Sequence, residues 1–128
     1  MILPIDITGT VYRGNHIGTG LDMPTANIVP DIDVTGYEKG VYYTVTTVDG
    51  RDYKSISNLG CKPTVNDTDV INLETFLFDY EGELYGKKIT VKLLEFRRPE
   101  QKFRDLQELK EVVHNDFAAG REYVKNQL

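Results

Sequence analysis

Gly40-Val41-Tyr42-Tyr43-Thr44-Val45-Thr46-Thr47-Val48 runs into Asp49-Gly50, and Tyr53 to Leu59 follows. The first stretch is almost wholly β-branched and aromatic, the composition that fits a pleated, half-buried surface. Asp-Gly is a pair that accepts the left-handed φ of a two-residue hairpin turn. The segment therefore reads as a strand, a tight turn and a return strand. Gly60 to Asp67, with Pro63 inside it, reads as a loop. Beyond the loop, Val70 to Tyr80 reads as a further strand. Leu73, Thr75, Leu77 and Asp79 fall on one face of it, and Asn72, Glu74, Phe76, Phe78 and Tyr80 on the other. Glu81-Gly82-Glu83 turns the chain. Lys87 to Phe96 then alternates, with Ile89, Val91 and Leu93 against Thr90, Lys92 and Leu94. Upstream of the hairpin, Ile5, Ile7, Thr10 and Val11 open a short β-prone stretch, and Gly14 to Asn27 reads as irregular.

After Pro99 the period changes from two to three and four, through Leu106, Leu109, Val112, Val113 and Phe117. Asp105 is placed to cap this helix, with Glu108 in the position of a capping box, and Ala118-Ala119-Gly120 is a point where the helix could be interrupted. Many short strands joined by Gly-rich turns, closed by one helix, suggest a small barrel or sandwich.

The chain has 128 residues, the size of one domain. Roughly two-thirds of its unfolded surface becomes buried at this length, enough for a core without staples. One cysteine, Cys61, excludes an internal disulfide. Fifteen Lys and Arg against twenty Asp and Glu give a net charge of −5, which argues against a general nucleic-acid surface. No run approaches a membrane span, and the first residues lack the basic and apolar regions of a secretory signal. The expected location is cytoplasmic, and the expected state of a lone small domain is a monomer.

Two elements carry possible chemistry. In Gly18-Thr19-Gly20-Leu21-Asp22-Met23-Pro24-Thr25-Ala26-Asn27 the glycines let backbone N–H groups approach phosphate oxygens. Thr25 and Asn27 present neutral oxygens two residues apart, on one face if the backbone is extended, and both can reach Mg²⁺. The segment is neither a Walker loop nor a dinucleotide fingerprint, and by pattern alone a turn punctuated by Gly and Pro is the stronger reading. The second element is Glu74, a carboxylate on an aromatic strand face. That is a setting for a general base, although a solvated or ion-paired edge glutamate explains it more simply. Arg97-Arg98-Pro99-Glu100 could orient a ligand at the barrel mouth or be a polar strand-to-helix connection. His16 and His114 are too few for zinc or a triad, and Cys61 reads as a passive thiol.

These segments taken in order resemble the riboflavin kinase family. Gly9-Thr10-Val11 with Gly14, Pro24-Thr25-Ala26-Asn27-Ile28 and Gly40-Val41-Tyr42-Tyr43 carry the first part of the likeness. Asn58-Leu59-Gly60 with Pro63-Thr64, then Leu73-Glu74-Thr75, continue it. Leu84-Tyr85-Gly86 and Arg98-Pro99-Glu100 with Lys102-Phe103 complete it. The resemblance implies a mainly β fold: a six-stranded Greek-key β-barrel over about 5–98, with a C-terminal α-helix over about 104–126, in a single domain 1–128. It implies transfer of the ATP γ-phosphate to the riboflavin 5′-hydroxyl, giving FMN and ADP. Thr25 and Asn27 match the positions that hold Mg²⁺ and the phosphates, and Glu74 matches the base. Gly14, Gly18, Thr19, Gly20, Leu21 and Tyr85 match positions near ATP, and Leu77, Asp79, Arg98 and Phe103 match positions near the flavin.

The sequence departs from the family at Thr19, where Arg or Lys is frequent, at Asp22, where Gly is usual, and at Met23, where a larger apolar residue is common. Losing a cation and gaining a carboxylate beside phosphates should weaken ATP binding by roughly 1–3 kcal/mol unless a residue such as Lys62 compensates. A flavin-binding or regulatory module without turnover is the alternative these departures motivate, and a domain serving chiefly as a partner for another enzyme is a third. No FAD synthesis is expected, because the chain has no room for an adenylyltransferase domain.

Overall fold

The computed structural model describes residues 1–12, 24–63 and 69–124. Six strands and one helix follow in the order β1 (Ile5–Thr10), β2 (Thr25–Ile28), β3 (Gly40–Val48), β4 (Arg51–Pro63), β5 (Asp69–Leu77), β6 (Lys88–Pro99) and α1 (Leu106–Val124). All strand pairs are antiparallel, in the order β1-β6-β3-β4-β5-β2. The β3-β4-β5 meander is flanked by β6, which returns beside β3, and that is the Greek-key arrangement. The hairpin forms as its sequence requires: Asp49 and Gly50 both take positive φ, 51° and 79°, between β3 and β4.

The sheet curls until its two edge strands meet. Just past β1, the Val11 amide donates to Lys87 O and the Gly86 amide donates to Val11 O, each at 2.9 Å. On the other side, the Tyr12 amide donates to Asn27 O of β2 at 2.9 Å, an isolated antiparallel bridge. Close approach is possible because Gly9 has no side chain; a Cβ there would lie 2.9 Å from Ile28 Cβ and from Val29 O.

Ile7, Ala26, Ile28, Tyr42, Leu59, Leu73, Leu77, Ile89, Val91 and Leu93 fill the interior. The sheet's outer face carries a second cluster, Val41, Ile56 and Phe78, against which α1 lays Phe117 and Val113. The Phe117 ring sits 5.3 Å from Phe76 and 5.9 Å from Phe78, centroid to centroid. Asp105 caps α1: its Oδ1 accepts the Glu108 amide at 2.9 Å. The reciprocal half of the capping box is missing, because the Glu108 carboxylate pairs with Arg104 instead.

Several boundaries differ from the sequence reading. The β4 strand runs on through Gly60 to Pro63, since β5 supplies a pairing partner at every position from Ser55 to Pro63. Thr25–Ile28 is a strand instead of irregular chain, recruited by β5. The last strand extends past Phe96 to Pro99, held by β3 across two register shifts. The helix is not interrupted at Ala118-Ala119-Gly120. Gly120 faces the sheet, where a Cβ would come within 3.1 Å of Ile56 and 3.3 Å of Phe78, so the glycine serves close packing. The strict alternation expected to Tyr80 ends at Leu77. Asp79 has φ 59°, and Tyr80 consequently packs against the interior cluster, edge-on to Tyr53 at 5.0 Å.

Candidate functional site

One transverse row of residues crosses the outer face of the barrel. Following the pairings strand by strand, Tyr12 lies opposite Asn27, Asn27 opposite Glu74, Glu74 opposite Asn58, Asn58 opposite Val41 and Val41 opposite Arg98. Directly paired residues of antiparallel strands put their side chains on the same face. Ala26 and Ile28 alternate with Thr25 and Asn27 and point inward, which leaves the latter two on the outer face. The same alternation in β5 sends Leu73, Thr75 and Leu77 inward and Asn72, Glu74 and Phe76 outward. The Thr25 and Asn27 oxygens therefore share a face with Glu74, as extended backbone requires.

The immediate cross-strand neighbours of Glu74 are the amides of Asn27 and Asn58, and the aromatic rings lie further along β5 under the helix. Asn27 is nearly inaccessible at 3 % exposure. Asn72 Nδ2 donates to Asn27 Oδ1 at 3.1 Å, and the Tyr12 hydroxyl donates to Asn72 Oδ1. Burial, with a smaller contribution from the Glu74 charge nearby, raises the Tyr12 pKa above its ordinary value. On the other flank, Asn58 Nδ2 reaches Glu100 Oε2 at 3.4 Å. That carboxylate lies over Gly60, where a Cβ would sit only 2.6 Å from it.

Arg98 ends the row in a rigid clamp. Its Nε and Nη2 donate to the two oxygens of Asp116 on α1, at 3.0 and 2.7 Å, a forked geometry that fixes the guanidinium plane. Arg97 Nε donates to the same carboxylate at 2.9 Å, and its Nη1 donates to the Tyr43 hydroxyl at 2.9 Å. Burial opposes the Arg97 charge, but the bonds to Asp116 and Tyr43 outweigh it and the pKa is raised. Asp116 is a buried carboxylate shared by two arginines, so it ties β6 to the helix.

The other sequence-predicted residues are more scattered. Leu77 lies fully buried in the interior, its amide donating to Pro24 O at 3.1 Å. Asp79 follows β5 in a left-handed turn, 3.7 Å from Arg121. Tyr85 is exposed in the turn before β6, its amide donating to Glu83 Oε1 at 3.0 Å. Phe103 is half-buried in the segment between β6 and α1. Gly14, Gly18, Thr19, Gly20 and Leu21, with the departures at Asp22 and Met23, lie outside the described residues, as does the side chain of Lys62.

Tyr12, Asn72 and Asp116 were not singled out from sequence, whereas Asn58 and Glu100 stood within quoted segments without a role of their own. Asn72 carried one usable signal, its position two residues before Glu74 on the same strand face.

The donor set fits a magnesium-type cation. Among the described residues no group of three or more His, Cys, Asp or Glu could hold a metal. Mg²⁺ is satisfied by one or two protein oxygens when phosphates and waters complete its shell. Asn27 Oδ1 accepts one hydrogen bond from Asn72, and an amide oxygen has a second lone pair.

The barrel with its packed helix is the fold of a flavokinase-type domain. The riboflavin kinase family model matches residues 1–124, and the chain belongs to that family. It is 37 % identical over 112 residues to the RNA-binding riboflavin kinase RibR of Bacillus subtilis (strain 168), covering 88 % of this chain and 48 % of RibR. It is 34 % identical over 121 residues to the bifunctional riboflavin kinase/FMN adenylyltransferase of Pseudomonas fluorescens, covering 92 % of this chain and 38 % of that protein. The chain thus spans less than half the length of these curated relatives. Among solved structures, a riboflavin kinase from Trypanosoma brucei superposes with a TM-score of 0.69 at 21 % identity, covering 97 % of this chain and 82 % of that one, and shares the fold. No helix among the described residues is long and apolar enough to cross a membrane.

Proposed function

We propose that the domain is an ATP:riboflavin 5′-phosphotransferase that makes FMN and ADP. The observation that carries this reading is the direct pairing of Asn27 with Glu74 across β2 and β5, with Thr25 beside Asn27 on the same face. A proton acceptor and neutral cation ligands on facing strands are the minimum set for phosphoryl transfer, which needs positioning and charge neutralisation more than covalent help.

Glu74 takes the proton of the ribityl 5′-hydroxyl as its oxygen bonds to the γ-phosphorus and the bond to the ADP oxygen breaks. Thr25 and Asn27 hold Mg²⁺, which neutralises charge on the phosphates when bound. Gly14, the Gly18 to Leu21 segment and Tyr85 flank the nucleotide. Asp79, Arg98 and Phe103 flank the flavin, with Arg98 held in one orientation by Asp116, and the Leu77 side chain, turned into the interior, is left out of that set.

The test is to mix the protein with riboflavin, ATP and Mg²⁺ and separate the products by chromatography. FMN formation that stops on chelation of the metal is the expected result. Riboflavin binding with no FMN formed would overturn the proposal and leave a flavin-binding module without turnover.

A further inference from the structure

Asn27 presents a side-chain amide, and an amide has two orientations of nearly the same shape. One turns its oxygen toward a cation and the other turns its NH₂ group, which a cation repels. In the structure a chain of hydrogen bonds accompanies the orientation in which the oxygen is offered. Asn72 lies diagonal to Asn27 across β5 and β2, and its Nδ2 donates to Asn27 Oδ1 at 3.1 Å. Were the Asn27 amide reversed, two NH₂ groups would face each other. Asn72 is held in turn by the Tyr12 hydroxyl, which donates to its Oδ1. Tyr12 is anchored through its backbone, whose amide donates to Asn27 O at 2.9 Å in the bridge that closes the barrel. Across from Asn72 on β4 stands Gly60, over which the Glu100 carboxylate lies.

We infer that Asn72 is a positioning residue that holds the Asn27 oxygen in its cation-binding orientation, with Tyr12 as its anchor. The inference rests on the reading of Asn27 as a cation ligand and goes beyond it by assigning roles to two residues outside that set. It also ties closure of the barrel to the order of the site, since one tyrosine supplies both the closing bridge and the first link of the relay.

The test compares the parent protein with Asn72→Leu and Tyr12→Phe. Binding of Mn²⁺-ADP without riboflavin, followed by the paramagnetic signal of the metal, reads the site independently of turnover. Steady-state kinetics give KM for Mg-ATP, KM for riboflavin and kcat separately. Loss of a hydrogen bond of this kind predicts about tenfold weaker Mn²⁺-ADP binding for Asn72→Leu and about threefold for Tyr12→Phe. KM for Mg-ATP should rise in parallel while KM for riboflavin stays within about twofold. Unchanged Mn²⁺-ADP binding in Asn72→Leu would overturn the inference. So would equal losses of nucleotide and flavin affinity accompanied by a lower Tm, which would mark a merely structural role. A parent that makes no FMN but binds Mn²⁺-ADP in an Asn72-dependent way would defeat the kinase reading and uphold the relay. A parent that binds no Mn²⁺-ADP would defeat the relay as well.

Discussion

Two polar regions of this barrel lie back to back and differ in the groups they bring together. Inside, Thr46, Ser55, Thr44, Ser57 and Thr75 form a chain of hydroxyls linked at 2.8, 2.7, 3.0 and 2.7 Å, all at 0–1 % exposure. Each hydroxyl can give one bond and accept from its neighbours, so the chain satisfies itself and makes a polar stripe compatible with a core. Outside, the row from Tyr12 through Asn27, Glu74 and Asn58 sets amides and a carboxylate beside one another. Leu73 and Glu74 are consecutive residues divided between these two regions. The pleat alone sends one into the core and the other to the site. Polarity by itself therefore does not mark a site in this fold: the inner groups are hydroxyls that bond one another, and the outer ones include a carboxylate and amides.

The comparison breaks most visibly at Leu73. Leu73→Ala should cost about 2–5 kcal/mol of stability by opening a cavity in the interior, while turnover per folded molecule changes little. Chemical denaturation alongside activity normalised to folded protein checks this. Ser55→Ala comes next. It strips the shared partner from Thr44 and Thr46, and should lower stability by about 1–3 kcal/mol with no change in KM for either substrate.

Tyr42 sharpens the interior side through pH. Burial, then the charges of Glu38 and Tyr37, push its pKa from 10.0 up to about 12. A raised folded-state value means the folded protein holds the proton more tightly than the unfolded chain. The associated stability is fully present below pH 10 and is lost as pH rises toward 12. Denaturation midpoints measured across that interval should fall, and Tyr42→Phe should flatten the slope.

Gly60→Ala gives the smallest change in stability, within about 1 kcal/mol, because the added methyl meets only the movable ends of Glu100 and Asn58. It should nevertheless shift the Glu100 carboxylate away from Asn58, and a change of a few-fold in KM for riboflavin with Tm unchanged would place that flank within the site.

Much of the fold was legible. Asp49-Gly50 announced the hairpin, the alternation of Ile89, Val91 and Leu93 announced β6, and the Leu106 to Phe117 spacing announced the helix. What escaped were elements decided by partners instead of local pattern. Thr25–Ile28 is four residues, too short to show a period, and becomes a strand because β5 offers an edge. Gly60–Pro63 carries loop residues yet pairs with Ile71 and Val70. For the site, the shared face of Thr25 and Asn27 followed from extended backbone. That Asn27 would pair with Glu74 depended on register between strands far apart in sequence, which local spacing does not encode. Asp116 is unreadable for the same reason: its partners are arginines on a strand, and nothing in the helix pattern distinguishes it from a solvent-facing carboxylate.

Glu74, in the outer row, is proposed to take the proton during phosphorylation of riboflavin. The most direct measurement is the rate of FMN formation at saturating riboflavin and Mg-ATP for the parent and for Glu74→Gln, with Tm measured on the same samples. Loss of a positioned base predicts a kcat lower by roughly 10²–10⁴-fold with Tm little changed. A Glu74→Gln variant that forms FMN at the parent rate would contradict the account.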